Sequence, residues 1–413
     1  MNENFKDFPE NWFDNIESTI IKQYDFLKLK GDIDNSVLAG FVLFNSNKNS
    51  LNVISLATGT KLMSGDQRQK TAKIGPALIH DCHAEILSHR GLQAWIWNSI
   101  NDSNVFECKN DKYYLLPHLS IHFYSSDPPC GDCCVHIAKQ SHKSVQNESN
   151  DQVQQGNEEN KQVDKNDTQP LISVQTGAKP FGWDQNQLFT SPPNIVRGKP
   201  GRGSRSQSVS CSDKICLWIN CGLQGSLLSS IVPSIKISTI SIGNGCVETL
   251  HRALIDRISQ YKSEDQNESS NQKSSEKVDD KNFDIKDDEN SLLRIFVKKP
   301  SWEQKNLSPS ASAFVWWDGC QKDGELIAAK FGRKLGVTEK KQEDPRMFSD
   351  ICDAVMLQRY YKYNGIKNIT LGDAKSKNPD YNQKKNKIKK ILESNGGQWA
   401  SKFPEEKEWL YNE

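Results

Sequence analysis

The sequence predicts a mixed α/β protein, a central sheet covered by helices, on three observations. Short apolar runs, partly β-branched, alternate along the chain with longer segments whose apolar residues recur at helical spacing. The overall hydrophobic share is only 35%, below that of an ordinary globular chain. Two stretches without packable side chains account for that deficit, so the remainder can still bury a sizeable core.

Each element follows from its local pattern. Residues 36–44 and 51–57 are apolar and joined by a polar Asn- and Ser-rich turn, which predicts a hairpin. Residues 84–100 carry apolar side chains at 87, 92, 95, 96 and 100, a helical period despite Gly91. Residues 119–124 form a short strand ahead of a Pro-Pro break. Residues 227–242, rich in Ile and Ser, are expected as one or two strands around Pro233. Residues 349–363 and 381–392 read as helices.

The 413 residues carry 53 Lys and Arg against 52 Asp and Glu, a net charge of +1. That balance excludes a globally basic nucleic-acid binder, so any polyanion site must arise from local clustering. No apolar run reaches the roughly 18 residues that a transmembrane helix needs. The polar, acidic start lacks the charged-then-apolar layout of a secretory leader. The 11 cysteines have no regular disulfide spacing, which points to free thiols or metal ligands in a reducing compartment, nucleus or cytoplasm. Residues 139–170 and 262–290 are runs of Asn, Gln, Asp, Glu, Lys and Ser. Such segments cannot offset their ordering entropy and are expected to be disordered, as linkers or as insertions.

The chemistry lies in two motifs. His83-Ala84-Glu85 is followed, 47 residues after His83, by Pro129-Cys130-Gly131-Asp132-Cys133. H-x-E and then P-C-x-x-C is the signature of the zinc nucleobase deaminases. One imidazole and two thiolates can hold Zn²⁺ with a fourth position open for water, which the metal acidifies towards a pKa of ~7. A carboxylate that is not a ligand must then shuttle a proton to the leaving amine, and Glu85 is placed for it. Alone, H-x-E also fits a solvated helix start, and P-C-x-x-C a structural zinc knuckle or redox pair. Both motifs in this order, each after a strand and opening a helix, favour the catalytic reading. By spacing, Cys130 and Cys133 are the two thiolates.

Further blocks follow the same order: Val37 to Leu43, Thr58-Gly59-Thr60-Lys61, Asp81-Cys82 before His83, Lys199-Pro200-Gly201-Arg202-Gly203, Ser210-Cys211-Ser212-Asp213-Lys214, Trp218 and Gly222-Leu223-Gln224-Gly225-Ser226. The series resembles the deaminase domain of the adenosine deaminases acting on RNA, over nearly the whole chain, and is most similar to the tRNA-specific branch. The resemblance implies a single domain over 1–413 with a cytidine-deaminase-like three-layer α/β/α core. It makes 139–170 and 262–290 insertions and adds C-terminal helices that enclose a polyanion. It implies hydrolysis of adenosine to inosine at position 37, 3′ of the anticodon of alanine tRNA, with no membrane and no evident protein partner. It also implies Cys211, not Cys133, as the second thiolate, so the chain offers both candidates.

The C-terminal region is basic, with ten lysines and three acids from Lys362 to Lys402. Lys384 and Lys385 stand on the same helical stripe as Tyr381, Ile388, Ile391 and Leu392. A lysine there needs an anion or a snorkelling route to water, and an exposed RNA-binding surface is the plainer reading. Members of the resembling family enclose inositol hexakisphosphate in a basic core. The matching positions are Arg90, Lys214, Ser226, Lys375, Tyr381, Lys385, Trp399 and Lys402, with His89 and Leu217 where relatives carry arginine. Asp81 and Lys214 would relay between the zinc site and the polyphosphate. For substrate, the resemblance implies Val37 near the base and Thr60 and Lys61 at ribose and phosphate. Arg202 and Arg205, in a Gly- and Ser-rich loop, are candidates for the RNA backbone.

Overall fold

The structure, a computed structural model of the chain, describes residues 8–28, 36–137, 172–174, 177–180, 192–201, 204–259, 293–304 and 311–411. The expected insertions 139–170 and 262–290 lie outside the described residues, as does Arg202. Among the described residues, no helix is long and apolar enough to cross a membrane.

An α/β fold is what these residues form. The predicted hairpin is β1 (Leu38–Asn45) and β2 (Ser50–Thr58), antiparallel, with a register shift between Phe41 and Val42. Two short strands, β3 (Thr60–Leu62) and β4 (Asp81–His83), pair with each other beside it. The strand expected at 119–124 is β5 (Leu119–Ser125). Then come β6 (Ile237–Gly243), β7 (Arg294–Lys298), β8 (Ser312–Trp317), β9 (Glu325–Ala328) and β10 (Arg333–Lys334). Eight of these form one sheet in the order β7-β6-β5-β1-β2-β8-β9-β10, parallel at β7-β6-β5 and antiparallel elsewhere.

The period of two along β1 sends Leu38 and Val42 to one face and Ala39, Phe41 and Leu43 to the other. The first face is covered by α1 (Trp12–Lys28) through Trp12, Phe13, Ile16, Ile20, Tyr24 and Leu27. The second face receives α2 (Ala84–Ser99) and α3 (Cys211–Cys221). Gly91 is part of that fit: a Cβ there would stand 3.1 Å from Ser55 Cβ and 3.4 Å from Val315, so its absence lets α2 settle on the sheet.

Beyond α3 lie the C-terminal helices α4 (Asp353–Asn364), α5 (Leu371–Ser376) and α6 (Pro379–Ser394). Leu357, Tyr360, Leu371, Ile388 and Leu392 belong to the same buried cluster as the sheet's second face. A buried bidentate pair ties the far end back: Arg68 Nε and a terminal nitrogen each lie 2.9 Å from a Glu406 carboxylate oxygen, while Arg68 also donates to Gln207 O at 3.1 Å.

One expectation is narrowed and another corrected. Of the one or two strands expected over 227–242, the structure holds one, β6, which lies after Pro233 because the earlier residues are spent on the end of a short helix, Gly225–Leu228, and the turn that follows. The Pro-Cys-x-x-Cys motif opens a single 3₁₀ turn, Asp132–Cys134, not a helix.

Candidate active site

His83 closes β4 and starts α2: its backbone is still extended (φ −65°, ψ 142°), and the helix begins at the next residue. Glu85 therefore sits in the first turn of α2, buried at 3% exposure. Burial raises the Glu85 pKa, which the nearby His83 partly offsets.

Cys130 arrives from β5 through the Pro128-Pro129 break. Gly131, at φ +109°, makes the turn, and a Cβ there would lie 2.2 Å from Ser210 Oγ. Only glycine lets this turn touch the start of α3. Ser210 caps that helix, its hydroxyl accepting from Asp213 N. Ser212 N donates to Cys130 O at 3.0 Å, and Ser212 Oγ accepts from Cys133 N at 3.1 Å. Cys211, first residue of α3, is thereby brought against the turn that carries Cys130.

The side chains of His83, Cys130 and Cys211 converge, with their ligand atoms within 4.8 Å of one another. His83 Nδ1 lies 3.8 Å from Cys130 Sγ and 3.7 Å from Cys211 Sγ. A tetrahedral zinc with ordinary bond lengths has N···S and S···S edges of roughly 3.6–3.8 Å, so these residues fit the metal. Cys133, the alternative from spacing, is buried but stands outside the cluster, and burial lifts its pKa well above the usual thiol range. Cys130 is held well below that range, first by its hydrogen bond with Cys211 and further by Lys199 and His83.

Lys199 is a residue of the site that the sequence pattern did not single out. It is 1% exposed, and its Nζ lies 2.9 and 2.8 Å from the two Asp81 oxygens and 3.1 Å from Cys211 Sγ. Burial opposes its charge, but Asp81 and the two cysteine sulfurs outweigh that and raise its pKa. Lys214 reaches the same carboxylate at 2.5 Å and Ser208 Oγ at 2.7 Å, so the expected Asp81–Lys214 contact is present. Asp81, despite burial, is held well below the usual carboxylate range by these two lysines.

On the other side lies a basic cluster. Asp353, also absent from the sequence reading, accepts from Arg90 (3.0 Å), Lys375 (2.5 Å) and Lys402 (3.1 Å). Lys385 donates to Ser226 Oγ at 2.9 Å and lies 5.8 Å from the Tyr381 ring centroid; Lys389 stands 4.9 Å from that of Trp399. One carboxylate serves several cations. Burial lowers Lys375 to about 7, Asp353 only partly offsetting it, while burial and the neighbouring Lys389 and Lys402 lower Lys385 to about 8. Such a set fits a multivalent anion, whose charge would restore both lysines. His89 and Leu217 add no charge: His89 stacks on Trp218 at 4.0 Å, and burial drives its pKa to about 3.

Among the expected substrate residues, Thr60 pairs with His83 across β3 and β4, and its hydroxyl is buried without a partner. Lys61 follows opposite Cys82, and Val37 packs at the edge of the core beside Gly59, whose N–H faces its carbonyl. Arg205 is turned inward, donating to Lys179 O at 3.2 Å and also to Pro180 O.

Comparison with known proteins gives a consistent picture. The family described as adenosine-deaminase (editase) domain matches residues 55–403. The tRNA-specific adenosine deaminase 1 of Drosophila melanogaster is 25% identical over 315 residues, 75% of this chain and 70% of the relative. That of Saccharomyces cerevisiae is 28% identical over 226 residues, 49% of this chain and 51% of the relative. The double-stranded RNA-specific adenosine deaminase of Mus musculus is 24% identical over 399 residues, 90% of this chain but only 30% of the relative.

Proposed function

The chain belongs to the adenosine-deaminase (editase) domain family, and from that premise we propose that it hydrolyses adenosine to inosine in tRNA, with alanine tRNA at position 37 as the substrate. The observation that carries the chemistry is the His83–Cys130–Cys211 cluster with buried Glu85 in the first turn of α2. His83, Cys130 and Cys211 would hold a zinc ion, which when bound would supply a Lewis acid that makes water nucleophilic at neutral pH. Glu85 accepts a proton from the water that attacks C6 and returns it to the amine, which leaves as ammonia. The unpartnered Thr60 hydroxyl, across from His83, supports the expected ribose or phosphate contact; Lys61 follows it in the same strand, and the carbonyl of Val37, expected at the base, accepts from the N–H of Gly59, just before Thr60. Arg205 would have to release two carbonyls to reach an RNA phosphate. A base in a tRNA loop is cheap to extrude, which suits an enzyme working on a single base.

The tRNA reading rests on the two tRNA-specific relatives, of which this chain spans 70% and 51%. Duplex RNA is the second reading, favoured by the match of 90% of this chain to the murine double-stranded RNA-specific enzyme. In either case the chain is read as one deaminase domain with inositol hexakisphosphate among Arg90, Ser226, Lys375, Tyr381, Lys385, Trp399 and Lys402. The insertions 139–170 and 262–290 interrupt it. Eleven free cysteines support a reducing compartment, nucleus or cytoplasm.

The test is incubation of purified protein with alanine tRNA and with a long RNA duplex, reading adenosine-to-guanosine changes after reverse transcription. Conversion at position 37 alone supports the tRNA reading. Conversion only in the duplex moves the substrate to double-stranded RNA, and none in either overturns the catalytic reading.

A further inference from the structure

Behind the two cysteines lies a set of buried charges that the deamination chemistry does not use. Cys130 and Cys211 are each followed two residues later by an aspartate, Asp132 and Asp213, both fully buried. Arg252 donates to Asp132 O and Val135 O, each at 2.8 Å, and its Nε lies 3.4 Å from the Asp132 carboxylate. Arg257, with no side-chain exposure, places a terminal nitrogen 2.8 Å from Asp213 Oδ1. Arg197 spans the two: its backbone N–H donates to Asp213 at 3.1 Å, and its Nε stands 3.9 Å from Asp132.

Local backbone geometry explains how one segment serves both aspartates. Arg252 opens a π turn, Arg252–Asp256, and Arg257 directly follows it. On an α-helix residues five apart point about 140° away from each other. A π turn bonds i to i+5 and brings such residues to one side, a distortion that recurs at functional sites. Burying two guanidiniums and two carboxylates, with a third guanidinium largely covered, is a poor route to stability, since packed apolar residues of similar size do as well or better. What the ions add is fixed geometry, and the guanidinium fork is suited to it.

We propose that Arg252 and Arg257 are positioning residues: acting through Asp132 and Asp213, they clamp the Cys130 turn to the start of α3 and set the distance between the two sulfurs. The inference rests on reading His83, Cys130 and Cys211 as a zinc site. Without the clamp the two cysteine-bearing segments keep the Ser212 hydrogen bonds and the Arg197 link but lose the anchor behind both aspartates, and the metal leaves more readily.

The experiment compares wild type with Arg252→Gln, Arg252→Lys and Arg257→Lys, and with Arg346→Gln as an exposed control. Zinc release to a chromogenic chelator, the visible absorption of the cobalt-substituted protein and the thermal midpoint are measured on each. Arg252→Gln is expected to release zinc about 10–100-fold faster, as loss of groups that orient metal ligands does. Its cobalt band should shift at a nearly unchanged midpoint, with Arg252→Lys intermediate and Arg346→Gln like wild type. Wild-type release and cobalt spectra in both Arg252→Gln and Arg257→Lys overturn the clamp, as does faster release that merely tracks a fall in midpoint. If Arg257→Lys fails to fold, the Arg252 pair decides, because that guanidinium keeps 16% exposure and its lysine variant keeps the charge. A wild-type protein without stoichiometric zinc fails the reading of the site itself, a different result from a zinc-loaded protein indifferent to these substitutions.

Discussion

Glu85 and Lys199 are both buried acid-base groups within reach of the same cluster, yet substitution should separate them. Replacing Glu85 by Ala removes the proton shuttle and none of the ligands. Inosine formation should fall by roughly 10²–10⁴-fold while zinc content stays at the wild-type level, measured by metal analysis and single-turnover conversion. Replacing Lys199 by Met instead removes one partner of a buried pair and leaves Asp81 short of a cation. That should cost about 3–5 kcal/mol of stability, visible as a lower denaturant midpoint. His83, Glu85 and Cys130 were legible because they sit in motifs of fixed short spacing. Cys211 stands 81 residues beyond Cys130, and only the Ser-Cys-Ser-Asp-Lys resemblance pointed to it. Lys199 lies in a Gly- and Pro-rich block, and nothing in a linear pattern shows that its side chain turns inward. Asp353 escaped for the same reason, as an ordinary acid in the first turn of a helix.

At the scale of elements, helix α6 is the informative one. It presents Tyr381, Lys385, Ile388 and Leu392 inward on one stripe, mixing apolar anchors with a cation. Lys385→Glu would set a carboxylate beside Ser226, where a polyanion is proposed. The expected outcome is loss of soluble protein or of copurifying phosphate; a soluble variant with wild-type phosphate content counts against the anion site. The sequence pattern located α2, α4 and α6 and the β1–β2 hairpin, where apolar periodicity is clear. It left α1 unassigned although Trp12, Phe13, Ile16, Ile20, Tyr24 and Leu27 have helical spacing, because polar residues dominate the segment between them. It also expected a helix after Cys130, where Gly131 at positive φ and the preceding prolines allow only one 3₁₀ turn. Turns set by distant contacts, here Ser210 and Ser212, are not written locally.

The whole molecule couples charge to pH. In the anion-free fold Lys375 titrates near 7 and Lys385 near 8, below the ~10.4 of an unfolded lysine. Between those values and about 10 the unfolded chain binds more protons, so the stability of the anion-free fold rises with pH. A bound polyanion reverses the balance by holding both lysines protonated. Its binding takes up protons in that window and weakens as pH climbs. Dialysis at pH 7 and pH 9 followed by phosphate analysis should show greater loss at pH 9; equal retention would remove these lysines from the site. The Arg68–Glu406 pair acts over a comparable span, joining positions 338 residues apart. During synthesis on a ribosome, Arg68 has no carboxylate to meet until residue 406 has emerged. The loop that carries Gln207 and Ser208, and through Ser208 the Asp81 carboxylate, stays unclasped until then. A message cut short just before that codon would yield a chain with every strand of its sheet and all three candidate zinc ligands, but with the Arg68 charge left without its carboxylate.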